Sequence, residues 1–587
     1  MRSAVAFFAA AVLFSGSAVA QSSKIASDLA VLPQDANVSV IVRYHPSVKR
    51  IPLDGHTAFS TALNRRYLPR LNAVVDNLKV ADLKELEKDP DVAFISPDRK
   101  IRSFGSNGWP DYGWLMVGAG VASSTFGLDG RGIGIAVIDS GYTDHADLSA
   151  SSRITYRLNL VPGASNAEDQ YGHGAHVAGI IAGDGTESRK PDSTYEVRGI
   201  APQANLAVFR VLDADGAGTD SAVIEAIYRA IELKDTFNIR VLNLSLGRPV
   251  YESHEVDPLC IAVRQAWEAG IVVVVAAGNE GRNNQFGTDG YGTIMSPGNS
   301  PYVITVGALN TSGTLAPEDD KIASYSSKGP TAIDHIVKPD ILAPGNRILS
   351  LTHVGSTLYQ RHPENRVPVF AYTNSPSTLT PDYYQLSGTS MAAPMVTGAA
   401  ALLLQKDPTL TPDQVKYRLM RTASKNLPQS SEATDPVTGV TYHSQSDIFT
   451  IGAGVLNIPA ALSNDEVSVG AMLSPVVRFD TATGTVVLLQ ETSAVWGDSG
   501  PGGAWPQGLA AVWGSNAFVA ADAAVWGSAA VWGSAAVWGS AAVWGSAAVW
   551  GSAAVWGSAA VWGSAAVWGS SSQVSSDAYA ISARGEL

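Results

Sequence analysis

Five stretches between residues 132 and 310 constrain the fold more than anything else in the chain: GIGIAVIDS, NLAVFRVL, RVLNLSLG, IVVVVAAGN and YVITVGALN. Each is a nearly unbroken Val/Ile/Leu run instead of an apolar–polar alternation, as expected of strands covered on both faces. Amphipathic segments lie between them, such as SAVIEAIYRAIEL and PLCIAVRQAWEAG, the second closed by Gly270. Strand, helix, strand in this order predicts an α/β domain with a parallel sheet and helices above and below it, three layers in all. In such sheets a crevice opens beyond the carboxyl ends of the strands. Polar residues gather there: Asp139 ends the first run, Ser245, Leu246 and Gly247 the third, and Asn279 the fourth.

The chain has 587 residues, too many for one ordinary domain. A hydrophobic content of 45% with 16% charged residues supplies a large core, and a net charge of −13 argues against a nucleic-acid partner, which would need a basic surface. The first residues, MRSAVAFFAAAVLFSGSAVAQ, read as a signal peptide over 1–20: Arg2 as the basic start, an apolar run, and Ala18-Val19-Ala20 as a small-residue cleavage site. The expected location is therefore outside the cytoplasm, extracellular or periplasmic, and no later stretch reads as a membrane helix. Cys260 is the single cysteine, so no intramolecular disulfide can form, and its apolar setting predicts a buried small hydrophobe.

Four short motifs carry the chemistry: AVIDSG with Asp139, YGHGAHVAG with His173, VAAGNEG with Asn279, and SGTSMAAP with Ser390. Each has an innocent reading alone, as a turn or cap residue or a structural histidine. Together, each at a strand end or helix start, they form a set. A serine hydroxyl is a poor nucleophile until a neutral imidazole takes its proton, and the imidazole needs a carboxylate to fix its tautomer. The tetrahedral oxyanion then needs preplaced donors, here the Ser390 backbone N–H at a helix start and the Asn279 side-chain amide. Ser387 and Thr389 are expected to be turn and cap residues, with Pro394 tolerated near the helix start.

This set resembles the subtilisin-like serine proteases, the subtilase family, over roughly residues 110 to 462. VRGIAPQANLAVFRVLDADGAGT, NLSLG, VITVGA, ASYSSKGP and KPDILAPG add to the likeness. The resemblance implies a serine endopeptidase acting on proteins and peptides, with Gly216-Ala217-Gly218 and Ser245-Leu246-Gly247 holding substrate as an added β-strand. Ala276, Ala277 and Gly278 suggest a roomy pocket for a large apolar side chain, whereas Glu280 would favour a basic one; both stay open. Residues 21–103, with a compact α+β core over about 36–102, are similar to the family's inhibitory propeptide, which implies an intramolecular inhibitor and self-cleavage within Ile101 to Trp109. No cofactor is implied for the chemistry. Structural calcium occurs in several members, but Asp213, Asp215, Asp319 and Asp320 lack a specific ligand spacing and read as solvated, so no metal ligand is named. Two departures stand out: Ala175 replaces the Thr usual after the histidine, which predicts a packing difference, and residues 350–384 form an insertion expected near the cleft.

The expected domain order is signal 1–20, propeptide 21–103, peptidase 104–462, a strand-like linker 463–523, AAVWGS repeats over 524–570 and a tail 571–587. The repeat, with Trp526 to Trp568 every six residues, fits either short hairpins or a low-complexity tail. A contact with glycans or a cell surface would make the chain an adhesive protein whose peptidase acts mainly on itself; this is the rival reading.

Overall fold

The computed structural model describes residues 24–25, 29, 33–45, 47–48, 66–68, 72–97, 113–149, 153–284, 288–374, 382–435, 438–467, 470–480, 485–488 and 586. The signal-like segment, the Ile101–Trp109 stretch and the AAVWGS repeats lie outside the described residues. The chain divides into two compact units, Met1–Asn107 and Gly108–Leu587.

In the first unit, strands β1 (Asn37–Tyr44), β2 (Arg66–Leu68), β3 (Ala73–Lys79) and β4 (Val92–Pro97) form an antiparallel sheet in the order β2-β3-β1-β4. Helix α1 (Val80–Glu87) buries Val80 and Leu83. The alternation of β1 puts Val40 and Val42 inside, where they pack with Leu29, Val74, Leu83, Val92 and Ile95. This is the strand–helix–strand pattern expected between residues 36 and 102, with β2 and β3 in addition.

The second unit is built on β5 (Gly134–Asp139), β6 (Ile154–Asn159), β7 (Asn205–Arg210), β8 (Ile239–Leu244), β9 (Val272–Ala276) and β10 (Ile304–Asn310), parallel in the order β6-β7-β5-β8-β9-β10. Short strands β11 (Lys321–Ile322, antiparallel) and β12 (Ile341–Pro344, parallel) add to β10. Every residue of β5, β9 and β10 is buried, which is why these strands read as continuous apolar runs. The edge strand β6 alternates half-buried and exposed residues and gave no such signal.

Helices α2 (His173–Ala182) and α5 (Thr389–Lys406) pack on each other, and α5 lies along β8, β9 and β10. Thr397 of α5 donates to Asn243 at 2.8 Å, so Leu242 and Leu244 of β8 point to the other face. Helices α3 (Asp220–Glu232) and α4 (Pro258–Glu268) pack on each other and on β5 and β9 respectively. Both start on side-chain caps, Thr219 to the Ala222 N–H and Asp257 to the Leu259 N–H. Strand order reverses at β5, with β6 and β7 on one side and β8 to β10 on the other. The crevice at this switch point is where side chains from β5 and the β8 end can meet.

The insertion at 350–384 is not a bare loop. It runs from β13 (Ile348–Leu351) through a short helix at Thr357–Arg361 to β14 (Tyr383–Leu386), which pairs antiparallel with β13. It packs on the segment that leads to His173: the His353 Nδ1 bonds the Asp169 carbonyl at 2.8 Å, and the Thr357 and Leu358 N–H groups donate to the Gln170 and Tyr171 carbonyls. No helix among the described residues is long and apolar enough to cross a membrane.

Candidate active site

Asp139 is the last residue of β5 and is fully buried. Its Oδ1 accepts from His173 Nδ1 at 2.8 Å and from the Ser140 N–H at 2.7 Å. This sets the imidazole tautomer with Nδ1 protonated and leaves Nε2 as the free lone pair. His173 opens α2, and the close approach that brings it to β5 depends on its neighbour: a Cβ on Gly174 would stand 2.3 Å from the Gly141 carbonyl oxygen.

Behind this pair lies a second carboxylate that sequence reasoning did not single out. Asp169 is fully buried, accepts from the Gly172 and Ala175 N–H groups at 2.7 Å each, and takes the Ser140 hydroxyl at 2.8 Å. That hydroxyl also accepts from the Gly174 N–H. Asp169 therefore pins both the turn before His173 and the residue after Asp139. Its signal in the sequence is only an Asp four residues before the histidine. Ala175 is likewise held here through its N–H.

Burial pushes the His173 pKa down, but the Asp139 charge, the bond to it, and the Asp169 charge outweigh burial, so the net shift is upward. Burial pushes the Asp169 carboxyl up.

Ser390 is the second residue of α5. The sequence predicts Pro394 in the first turn; it sits instead inside the helix. Lacking an N–H, Pro394 frees the carbonyl four residues back, that of Ser390. The Ser245 hydroxyl fills the gap, donating to that carbonyl at 2.9 Å, while the Ser390 hydroxyl donates to the Ser245 carbonyl at 3.1 Å. Ser245 directly follows β8, and Ile138 of β5 pairs with Leu244 of β8. Ser390 is thus locked one strand away from the end of β5. No hydrogen bond joins the Ser390 hydroxyl to the His173 ring among the described residues.

Asn279 follows β9 and meets the start of α5. Its Oδ1 accepts from the Thr389 N–H at 2.9 Å and the Thr389 hydroxyl at 3.1 Å. That orientation leaves Nδ2 and the Ser390 N–H as donors without a hydrogen-bond partner among the described residues. Gly388 has φ +151°, and a Cβ there would stand 3.1 Å from Asn279 Nδ2. The Thr389 hydroxyl also accepts from the Gly278 N–H at 3.1 Å, tying the two segments together. Ser387 is a turn residue, its hydroxyl accepting from the Arg347 N–H at 2.8 Å.

The expected substrate segments lie around these four. Gly216 has φ +78° and packs on Tyr171, whose ring lies 6.4 Å from that of His173. Asp213 holds the turn by accepting from the Asp215 and Ala217 N–H groups, with Gly218 after it. Leu246 and Gly247 make no backbone hydrogen bonds among the described residues, which leaves their amides open. Ala276 ends β9 and Ala277 and Gly278 follow it, the Met295 and Ser327 N–H groups donating to the Ala277 and Gly278 carbonyls. Of the other aspartates, Asp215 pairs with Arg361 of the insertion at 2.9 Å, and Asp319 accepts from Thr314. Asp320 is buried and pushed up to about 7 by burial and by Asp319 and Glu318. No group of three or more metal-binding side chains occurs among the described residues. Cys260 is buried, and burial drives its thiol pKa upward.

A parallel α/β sheet that presents an Asp–His pair, a serine at a helix start and two free N–H donors along one edge defines the class of serine hydrolases. Comparison with known proteins narrows that class. The subtilase-family model matches residues 130–443. Serine protease AprX of Bacillus subtilis (strain 168) is 40% identical over 303 residues, 51% of this chain but only 62% of AprX. Subtilisin E of the same organism is 34% identical over 393 residues, 67% of this chain and 81% of subtilisin E. An alkaline protease of Alkalihalobacillus alcalophilus is 31% identical over 347 residues, 59% of this chain and 73% of that protein. The chain belongs to the subtilase family of serine peptidases.

Proposed function

We propose that the chain is an exported serine endopeptidase, made as a self-processed zymogen, in which Ser390 is the nucleophile, His173 the general base and Asp139 its orienting acid. One observation carries the reading: the buried Asp139 carboxylate takes His173 Nδ1 at 2.8 Å, while the end of the neighbouring strand fixes Ser390 through Ser245. The reading requires the Ser390 hydroxyl to leave the Ser245 carbonyl for His173 Nε2 by a turn between staggered wells.

In the reaction, Ser390 Oγ loses its proton to His173 Nε2 and bonds to the scissile carbonyl carbon. The carbonyl oxygen becomes an oxyanion that Asn279 Nδ2 and the Ser390 N–H can receive. The imidazolium then protonates the departing amine nitrogen as the C–N bond breaks, leaving an acyl ester on Ser390. Water, giving its proton to Nε2, hydrolyses the ester and restores the hydroxyl. Leu246 and Gly247, with Gly216 to Gly218 opposite, would bind the peptide as an added strand, which suits protein substrates. The signal-like start supports export, and the compact unit at 37–97 with its own core supports a propeptide.

The test uses purified mature protein. It should digest unfolded casein and react with a serine-directed phosphonate, and Ser390→Ala, freed of its N-terminal unit by added active enzyme and repurified, should lose both, with a loss of about 10⁶-fold in kcat. Activity confined to the chain's own N-terminal unit would favour the adhesive reading instead.

A further inference from the structure

Glu586 is 4% exposed, buried against residues far from it in sequence. Its Oε1 accepts from Arg282 Nη2 at 2.9 Å, from the Ser324 N–H at 2.8 Å and from the Ser324 hydroxyl, while Oε2 accepts from Asn310 Nδ2 at 3.4 Å. The backbone is held as well: the Glu586 N–H donates to Asn346 Oδ1 at 2.8 Å, and Asn346 Nδ2 donates to the Glu586 carbonyl at 3.0 Å. Such a set reads both the carboxylate and the peptide unit that bears it.

The receiving groups are also held by contacts that do not involve Glu586. Arg282 Nη1 is held by Asp435 at 2.9 Å, its Nε donates to the Ser324 hydroxyl at 2.7 Å, and its guanidinium lies 4.7 Å from the Tyr442 ring centre. Asn310 and Ser324 are each 2% exposed. A Gln here would keep an acceptor for Arg282 Nη2 and the Ser324 N–H, but would set an N–H donor against Asn310 Nδ2 and remove the negative charge beside the guanidinium, so the pocket favours an anion.

Its position ties it to the active site. Arg282 comes three residues after Asn279, and the intervening Gly281 N–H donates to the Tyr325 carbonyl at 2.8 Å. Asn346 follows Gly345, whose carbonyl accepts from the Gly388 N–H at 2.8 Å.

We propose that Arg282, Asn310, Ser324 and Asn346 form a receptor for an acidic peptide residue, filled in cis by Glu586, which latches the far end of the chain beside the Asn279 segment. The repeat-bearing stretch is then attached to the peptidase domain at both ends and not at one.

The test uses the full chain carrying Ser390→Ala to prevent self-digestion, and a fluorescein-labelled synthetic peptide ISARGEL. The peptide should bind the chain with Glu586→Ala at least about tenfold more tightly than the chain that keeps Glu586, whose own residue competes. A peptide with Gln for Glu should bind at least about tenfold more weakly. Trypsin should also release residues 585–587, by cutting after Arg584, at least about tenfold faster in Arg282→Gln. Failure of the peptide to bind the Glu586→Ala chain, or equal binding to both chains, overturns the latch. Should Glu586→Ala not fold, an unchanged tryptic rate in Arg282→Gln overturns it alone.

Discussion

Ser390 owes its setting to a residue that does no chemistry. Pro394 removes the helix hydrogen bond that would have claimed the Ser390 carbonyl, and Ser245 takes the place, so one proline fixes the proposed nucleophile to the sheet. Asn279 is fixed in the same manner: with Oδ1 occupied by Thr389, only its N–H group faces the site. Asn279→Ala should therefore lower kcat by about 10²–10³-fold with little change in KM, measured on a chromogenic peptide, since the lost bond is made to the oxyanion and not to the substrate carbonyl. The pH profile follows from His173. Its folded pKa lies above the ordinary value of about 6.5, so the imidazolium persists to higher pH and activity should fall with acid through a midpoint above about 6.5. The same shift adds stability that is fully present below about pH 6.5 and is lost as pH rises through the folded value. Asp169→Asn removes one of the charges holding the imidazolium, so the acid midpoint of kcat/KM should move to lower pH; an unmoved midpoint would leave Asp169 a purely structural residue. The placing of Asp139, His173, Asn279 and Ser390, the proposed site, was legible in the sequence because each sits in a short motif at a strand end or helix start. Asp169, Ser140 and the Ser245 carbonyl were not, because their roles arise from loop geometry and from a proline whose effect is felt four residues away.

At the scale of elements, what the sequence made plain was what burial makes regular. Strands β5, β7, β8, β9 and β10 are mostly apolar because both faces are largely covered, whereas β6, half-exposed at the edge, and β13 and β14, at the two ends of an insertion, carried no comparable pattern. A buried ionic knot was also illegible, since nothing in the sequence marks its lysines as buried. Asp340 accepts from Lys338 at 2.6 Å and lies 3.3 Å from Lys416, and all three are fully buried. Ser474 donates to Asp340 at 2.5 Å, and Lys416 donates to Ser474 and to the Pro301 and Val303 carbonyls. The knot joins the start of β12, the loop before β10, the helix at Pro412–Arg421 and a residue beyond the expected end of the peptidase region. Burial pulls Lys338 down to about 7 despite Asp340, and the two lysines outweigh burial to hold Asp340 below the usual carboxylate range. Taking away the shared anion leaves two buried cations facing each other. Asp340→Ala should cost about 3–5 kcal/mol of unfolding free energy, measured by urea denaturation of the Ser390→Ala chain. Lys338→Met, which leaves Asp340 paired with Lys416, should cost less.

For the whole molecule, the main sheet is assembled from pairings distant in sequence: β5 pairs with β8, and β9 with β10, in parallel. Loop-closure entropy must be met before such contacts stabilise anything, so this domain should fold slowly with apolar strands exposed meanwhile. The N-terminal unit is smaller, an antiparallel sheet whose pairings all lie within residues 37–97, with its own small core, and it can form early. A unit that folds first on the same chain can act as template at an effective concentration no separate protein reaches, and cutting it away afterwards makes the folded state of the peptidase a matter of its unfolding rate. On the proposed zymogen reading the cut must wait for a competent Ser390, since the proposed site exists only once β5, β8, β9 and α5 have met. In the parent, cleavage within residues 101–109 should follow first-order kinetics independent of protein concentration, whereas Ser390→Ala should accumulate with residues 21–103 still attached, read by intact mass. Addition of active enzyme to that variant separates cutting in trans from cutting in cis. Normal processing of Ser390→Ala in the absence of added enzyme would show that another protease does the work, and the link between folding and maturation would fall with it.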